Sequence, residues 1–213
     1  TAVFEEGISH IPAGIFISCT TLKNVTLPEK EDTDILGGYI LKSYAFYGCT
    51  SLASIDLPES LTEIQNHTFY GCTALTEITI PDNVTSVGNS AFYNCKYLTS
   101  VTIGDSVTSL GYSIFSGCIR LPSIVLSNSV TSVDSMAFEG CTSLESVDLA
   151  NTKSLGYYAF RNCSSLTNIT IPNTLTSVTY YTSSSNYGPF TGSSIVTAVF
   201  EEGISHIPAG IFI

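Results

Sequence analysis

The chain has 213 residues, 44% hydrophobic and only 12% charged, and its 18 acids against 7 Lys and Arg leave a net charge of −11. That length buries a sizeable core, and the apolar content excludes a disordered polyelectrolyte. The acid surplus repels phosphate backbones, so no nucleic-acid partner is expected. No apolar run reaches the ~18 residues needed to span a membrane.

Read from the N-terminus, the first recurring feature is Phe16-x-x-Cys19-x-x-Leu22. The same triplet returns around Cys49, Cys72, Cys95, Cys118, Cys141 and Cys163, at spacings of 30, 23, 23, 23, 23 and 22 residues. Phe190 and Phe212 continue the register without a Cys, and Ser193 takes the Cys place. A fixed period of this length is the mark of stacked repeats, in which no single unit can bury its own apolar side chains.

The unit from Cys72 to Cys95 shows the pattern clearly. Leu75, Ile78 and Ile80 point inward, and the alternation at Ile78 and Ile80 is that of a strand with one buried face. Pro81 ends the strand, since it cannot donate to a ladder. Asp82-Asn83 turns the chain, Val84 to Val87 forms a second short extended segment, and Gly88-Asn89 makes another corner. Ser90-Ala91-Phe92 is short enough for one helical or 3₁₀ turn that drops Phe92 into the core. Parallel strands are therefore expected at Leu52–Leu57, Leu75–Ile80, Leu98–Ile103, Leu121–Leu126, Leu144–Leu149 and Leu166–Ile171, with every Phe and Cys of the columns buried. Successive strands in one parallel sheet require right-handed crossovers.

Two coils carry seven extra residues. The first insertion lies around Glu29-Lys30-Glu31-Asp32-Thr33-Asp34, an acidic run that lacks the Gly and bidentate Glu of a calcium loop and reads as a solvated turn. The second lies around Tyr180-Tyr181-Thr182-Ser183-Ser184-Ser185-Asn186-Tyr187, a composition enriched in recognition loops. At the end, residues 197–213 repeat residues 1–17 without a single change. Neighbouring coils differ far more, so this is a second, longer repeat. The chain is read as a single domain over residues 1–213 and as one period of a larger array, an engineered duplication being the alternative; end-to-end self-association is among the partners expected.

The pattern Leu-x-x-Ile-x-Ile-Pro-x-x-Val-Thr-Ser-Ile/Val-Gly-x-x-Ala-Phe-x-x-Cys resembles the BspA-like class of leucine-rich repeats. Val84-Thr85-Ser86-Val87-Gly88, Val107-Thr108-Ser109-Leu110-Gly111 and Val130-Thr131-Ser132-Val133 carry the likeness best. The fold expected is a β-rich α/β solenoid, a right-handed leucine-rich-repeat superhelix with a parallel sheet and about nine coils of ~23 residues. The resemblance implies a secreted or cell-surface protein that binds other proteins, such as a host extracellular-matrix or surface protein in adhesion. It implies no catalytic residue and no cofactor.

The residues themselves agree with that. The Cys lie in one column beside Phe and Leu, where they pack as small hydrophobes rather than forming disulfides or a metal site. His10, His67 and His206 belong to no Ser/His/Asp or Cys/His arrangement. Neither an enzyme nor a metal protein is expected. The candidates for partner contact are Asp56, Glu77, Thr79, Thr102 and Asp148 on the outward face of the main sheet, and Tyr180, Tyr181, Asn186 and Tyr187 in the second insertion. A structural spacer with no ligand is the alternative; it should have the same surface on every coil.

Overall fold

A computed structural model describes residues 1–4, 7–28, 38–149, 151–179 and 187–212. In chain order the strands are β1 (Ala2–Val3), β2 (His10–Ile11), β3 (Val25–Thr26), β4 (Tyr39–Leu41), β5 (Leu61–Ile64), β6 (Glu77–Ile80), β7 (Ser86–Val87) and β8 (Ser100–Ile103). They continue as β9 (Ser109–Leu110), β10 (Ser123–Val125), β11 (Ser132–Val133), β12 (Ser146–Asp148), β13 (Ser154–Leu155), β14 (Asn168–Ile171), β15 (Ser177–Val178) and β16 (Thr197–Phe200). All pairings are parallel.

Each coil has three sides. The main strands pair as β1-β3, β6-β8, β10-β12 and β14-β16. The short second strands form two longer ladders, β2-β4-β5-β7 and β9-β11-β13-β15. The third side is the turn that carries Phe, and it has an inter-coil ladder of its own. There Phe69, Phe92, Phe115 and Phe138 donate their N–H groups to Ala91, Ile114, Ala137 and Ala159 of the next coil at 2.7–3.0 Å.

The expected strands are present at five of the six places, and each begins two residues late. The Leu N–H is already committed: Leu75 donates to the Cys72 carbonyl, and every Leu of the column closes the same turn. The ladder can only start beyond it. Leu52–Leu57 forms no strand, a correction to the sixth expectation. It stacks on the coil that holds the first insertion. The register shift between Tyr39 and Ile40 marks how unequal those two coils are.

The solenoid has about seven turns rather than nine and contains no helix among the described residues, so the α/β description gives way to a β-solenoid. Seven stretches, Leu22–Phe46 to Leu166–Phe190, hold the complete set of Leu, second strand and Phe. Phe16 and Phe212, in the two copies of the 17-residue segment, lie outside these seven stretches. A helix cannot grow in the Phe turn because left-handed residues bracket it. The position two before Phe has φ of 52–63° at Tyr44, His67, Ser90, Ser113, Met136 and Tyr158, and the position two after is left-handed as well, as at Gly71 and Asn94. Gly88 is small for a different reason, since a Cβ there would run into the main chain of Asn66.

The core consists of columns. Consecutive Phe rings from Phe16 to Phe212 stack at centroid distances of 5.2–5.7 Å. Phe46 through Phe160 are fully buried; the expectation fails only at the ends of the stack, where Phe16 and Cys19 are half-buried and Phe212 is 45% exposed. The Cys column does more than fill space. Cys49, Cys72, Cys95, Cys118, Cys141 and Cys163 each donate the thiol hydrogen to a Phe carbonyl of the preceding coil at 3.2–3.3 Å.

Candidate functional site

The main sheet turns its outward side chains to solvent. Asp56, Glu77, Thr79, Thr102 and Asp148 are all exposed there. Pairing of β6 with β8 sets Thr79 beside Thr102 and Glu77 beside Ser100, and pairing of β10 with β12 sets Val125 beside Asp148. The sheet is open between β8 and β10, where one inter-coil hydrogen bond at the foot of the strands cannot form. At the foot of successive strands Thr76 donates to Ala53, Thr99 to Thr76 and Glu145 to Pro122. Pro122 has no N–H to give to Thr99. A cleft of about 380 Å³ lies along this seam, lined by Thr102, Ile103, Ser123 and Val125 among others. Val125 is 67% exposed at its edge. Pro122 stands where other coils have Ala53, Thr76, Thr99, Glu145 and Thr167.

The Phe turns of three consecutive coils hold a second cluster. Tyr47, Tyr70 and Tyr93 follow Phe46, Phe69 and Phe92 and stack face to face at 4.7 and 4.6 Å. Next to them, Tyr44 lies flat on His67 at 4.8 Å with the rings 3° from parallel. Tyr44 also touches Tyr47, and His67 touches Tyr70, so five rings form one patch. The patch stops at the next coil, where Ser116 takes the Tyr position. Tyr44 is 40% exposed and the rest are half-buried, apart from a well-covered imidazole nitrogen. Buried aromatic bodies with hydroxyl tips make strong interface anchors. The signal was in the sequence as Phe-Tyr at 46–47, 69–70 and 92–93.

Further along the same side lie Tyr158 and Tyr187, edge to face at 5.1 Å. Arg161 sits over the Tyr158 ring at 4.4 Å and pairs with Glu139 at 3.0 Å. Tyr187 is thus part of the turn side, away from Asp56, Glu77, Thr79, Thr102 and Asp148 on the sheet. Tyr180, Tyr181 and Asn186, like the acidic run 29–34, lie outside the described residues.

The titratable groups are set for packing. Burial pushes the Cys49 thiol up to about 11 and Cys163 up to about 12, and raises Cys72, Cys95, Cys118 and Cys141 further still. A thiol held protonated is a poor nucleophile and a poor metal ligand. Burial lowers the pKa of His67, whose Nδ1 is enclosed without a hydrogen-bond partner. Its neutral ring serves the stack on Tyr44. Among the described residues no group of three His, Cys, Asp or Glu could hold a metal ion.

Comparison with known proteins agrees with the columns. The model of the BspA type leucine rich repeat region matches in six copies, over residues 1–120, 39–153 and 85–213. A leucine-rich repeat protein from Eubacterium ventriosum is 32% identical, with a TM-score of 0.65 over 73% of this chain and 41% of that one. A leucine-rich repeat protein from Bacteroides ovatus, 23% identical, shares the fold with a TM-score of 0.56 over 94% of this chain and 66% of that one. The chain therefore spans less than two thirds of the length of either. No curated protein matches it in sequence.

Proposed function

This chain belongs to the BspA-type leucine-rich-repeat family, and from that premise we propose that it is a non-catalytic module that binds a protein partner at the cell surface or outside the cell. The observation that carries the reading is the confinement of Tyr44, Tyr47, His67, Tyr70 and Tyr93 to three neighbouring coils. A spacer repeats its surface as it repeats its core. Here the core columns run the whole length, while the continuous five-ring stack is private to one stretch, and the exposed rings of Tyr97 and Tyr112 stand outside it. Aromatic side chains dominate the energetics of protein interfaces, and this patch is already ordered by its own stacking, which lowers the entropy cost of docking.

On this reading the Tyr patch is the anchor. The polar sheet face with Asp56, Glu77, Thr79, Thr102 and Asp148 is a second contact surface, and Tyr180, Tyr181, Asn186 and Tyr187 form a third. No cofactor or metal takes part. The test is capture of host extracellular-matrix and surface proteins on the immobilised chain. Binding of a specific protein should be lost with Tyr44→Ala plus Tyr70→Ala and largely kept with Thr79→Ala plus Thr102→Ala, with circular dichroism unchanged. Loss only on deletion of Tyr181–Tyr187 would move the anchor to the insertion. No specific partner for the intact chain would favour the spacer.

A further inference from the structure

The seam between β8 and β10 differs from the rest of the main sheet in more than its missing ladder. Val101 belongs to the inward column of Ile55, Ile78, Ile124, Val147 and Ile169. Those five are buried, whereas Val101 is only half-buried. The opening between the strands therefore reaches a core side chain. The cleft of about 380 Å³ has an apolar floor at Val101 and Ile124, and exposed rims at Ser100, Thr102, Ser123 and Val125.

Two residues before the foot of these strands stand Tyr97 and Arg120. The Arg120 guanidinium lies over the Tyr97 ring at 4.2 Å, and Tyr97 is 48% exposed. Lys96 is exposed next to Tyr97. Arg161, also laid on a Tyr ring, commits its fork to Glu139 at 3.0 Å, but among the described residues neither Arg120 nor Lys96 has a carboxylate within ion-pair distance. Stacking on an aromatic face leaves the N–H fork of an Arg open at its edge, where it fits a carboxylate.

Charge is distributed to match. The chain has 18 acids, yet residues 83–133 hold one, Asp105, against Lys96 and Arg120. Asp105 stands past the far end of β8. The flanking carboxylates belong to the outer strands: Glu77 pairs with Ser100, Asp148 pairs with Val125, and Glu145 donates its N–H to Pro122. A carboxylate entering the cleft is repelled from its middle and drawn to the corner of Arg120 and Lys96. A second seam on the same sheet gives the contrast. The smaller cleft between residues 54–57 and β6, about 150 Å³, is lined by Asp56 and Glu77 and by no Lys or Arg, so it excludes an anion.

We infer that the β8–β10 seam, with Arg120 and Lys96 at its foot, is a docking site for an extended acidic segment of a protein partner. This rests on the protein-binding reading and gives the sheet face a ligand chemistry of its own. A Val, Ile or Leu of the segment covers Val101 and Val125. An Asp or Glu takes the fork of Arg120, with Lys96 adding attraction. Val101 lies four residues beyond Tyr97, so the acidic and apolar positions stand about four residues apart in an extended chain.

The test is selection of a phage-displayed library of random dodecapeptides on the intact chain. The enriched peptides should carry an Asp or Glu at about that spacing from a Val, Ile or Leu. Fluorescence anisotropy of the labelled peptides should show binding weakened by at least about tenfold with Arg120→Gln, and by a similar factor with Val125→Asp. Both positions are exposed, and circular dichroism checks that each variant folds. Lys153→Gln removes the same charge from another side of the coil and should change affinity by no more than about twofold. Enriched peptides without acids, or equal binding to Arg120→Gln and the unaltered chain, would overturn the inference. Peptides lost with Tyr44→Ala plus Tyr70→Ala but not with Arg120→Gln would overturn it too, while upholding the protein-binding reading. Enrichment of no peptide at all also counts against the seam, whereas the protein-binding reading falls only with the capture experiment.

Discussion

Two aromatic ladders run side by side through this molecule, and they obey different rules. The Phe column continues through every coil with rings 5.2–5.7 Å apart. The Tyr column has closer rings, 4.6–4.7 Å apart, yet lasts for three coils only. Stacking geometry alone therefore does not show what a ladder is for. A Phe can be stacked only if the next coil brings another, so the core enforces repetition. A Tyr at the rim can be exchanged for Ser116, Glu139 or Arg161 without opening a cavity. Whatever is specific to this chain is written in the rim.

The largest test of the core side is alkali. Six thiols are buried and held protonated by burial, whereas an unfolded thiol ionises near 9. Their folded pKa values are raised, so their contribution to stability is complete below pH 9 and is lost as pH rises above it. Each ionising thiol contributes a slope of about 1.4 kcal/mol per pH unit, and six together contribute roughly 8. Denaturant titrations should show stability collapsing between pH 9 and 11. Replacing Cys95 and Cys118 with Ala should reduce the slope.

Next in size is Phe92→Ala, expected to cost about 3–5 kcal/mol through the cavity left between Phe69 and Phe115. Urea unfolding measures it. Against this, Tyr70→Ala should cost only about 1–2 kcal/mol, mostly from its two stacking contacts, while having the greater effect on binding. If Tyr70→Ala proved as damaging to stability as Phe92→Ala, the division into core and rim would fail.

His67 sharpens the boundary between the two. Its lowered pKa means that the folded chain disfavours the imidazolium. The stability it contributes is present above 6.5 and is lost as pH falls through its folded value, at no more than about 1.4 kcal/mol per pH unit. His67→Tyr, matching Tyr44 and Tyr158 in the same column, should flatten the acid side of a melting-temperature curve between pH 7 and pH 5.

The smallest effect is expected at the cleft. Pro122→Ala supplies the missing N–H, worth about 0.5–1.5 kcal/mol as a hydrogen bond, and gives up about 0.4–1 kcal/mol of chain stiffness. Stability should barely move. Hydrogen exchange should show a new protected amide at residue 122 and slower exchange along β10.

These differences also explain what was legible in the sequence. Phe, Cys and Leu could be read because each coil votes for the same residue at the same place. The left-handed corners could not be read, because Tyr44, His67, Ser90 and Met136 fill them instead of Gly, and the backbone demand leaves no common residue type. Turn count was overestimated because each of the nine Phe was taken to mark a coil, whereas seven stretches run the full course from Leu through a second strand to Phe. Of the candidate contacts, those on the sheet followed from strand alternation and are exposed. The Tyr patch was missed because a feature present in three coils looks like noise in a search for what recurs.

The hydrogen bonds that join coil to coil have one further consequence, for a molecule under load. They run along the stacking direction, so a pull on the two ends loads them one coil after another, as in unzipping, rather than shearing a whole sheet at once. Each released coil of ~23 residues would add about 80 Å of slack, and each of the two longer coils about 100 Å. Stretched between a surface and whatever it holds, such a chain would yield in small, even steps and act as a ratcheted tether, shedding tension before its anchor let go.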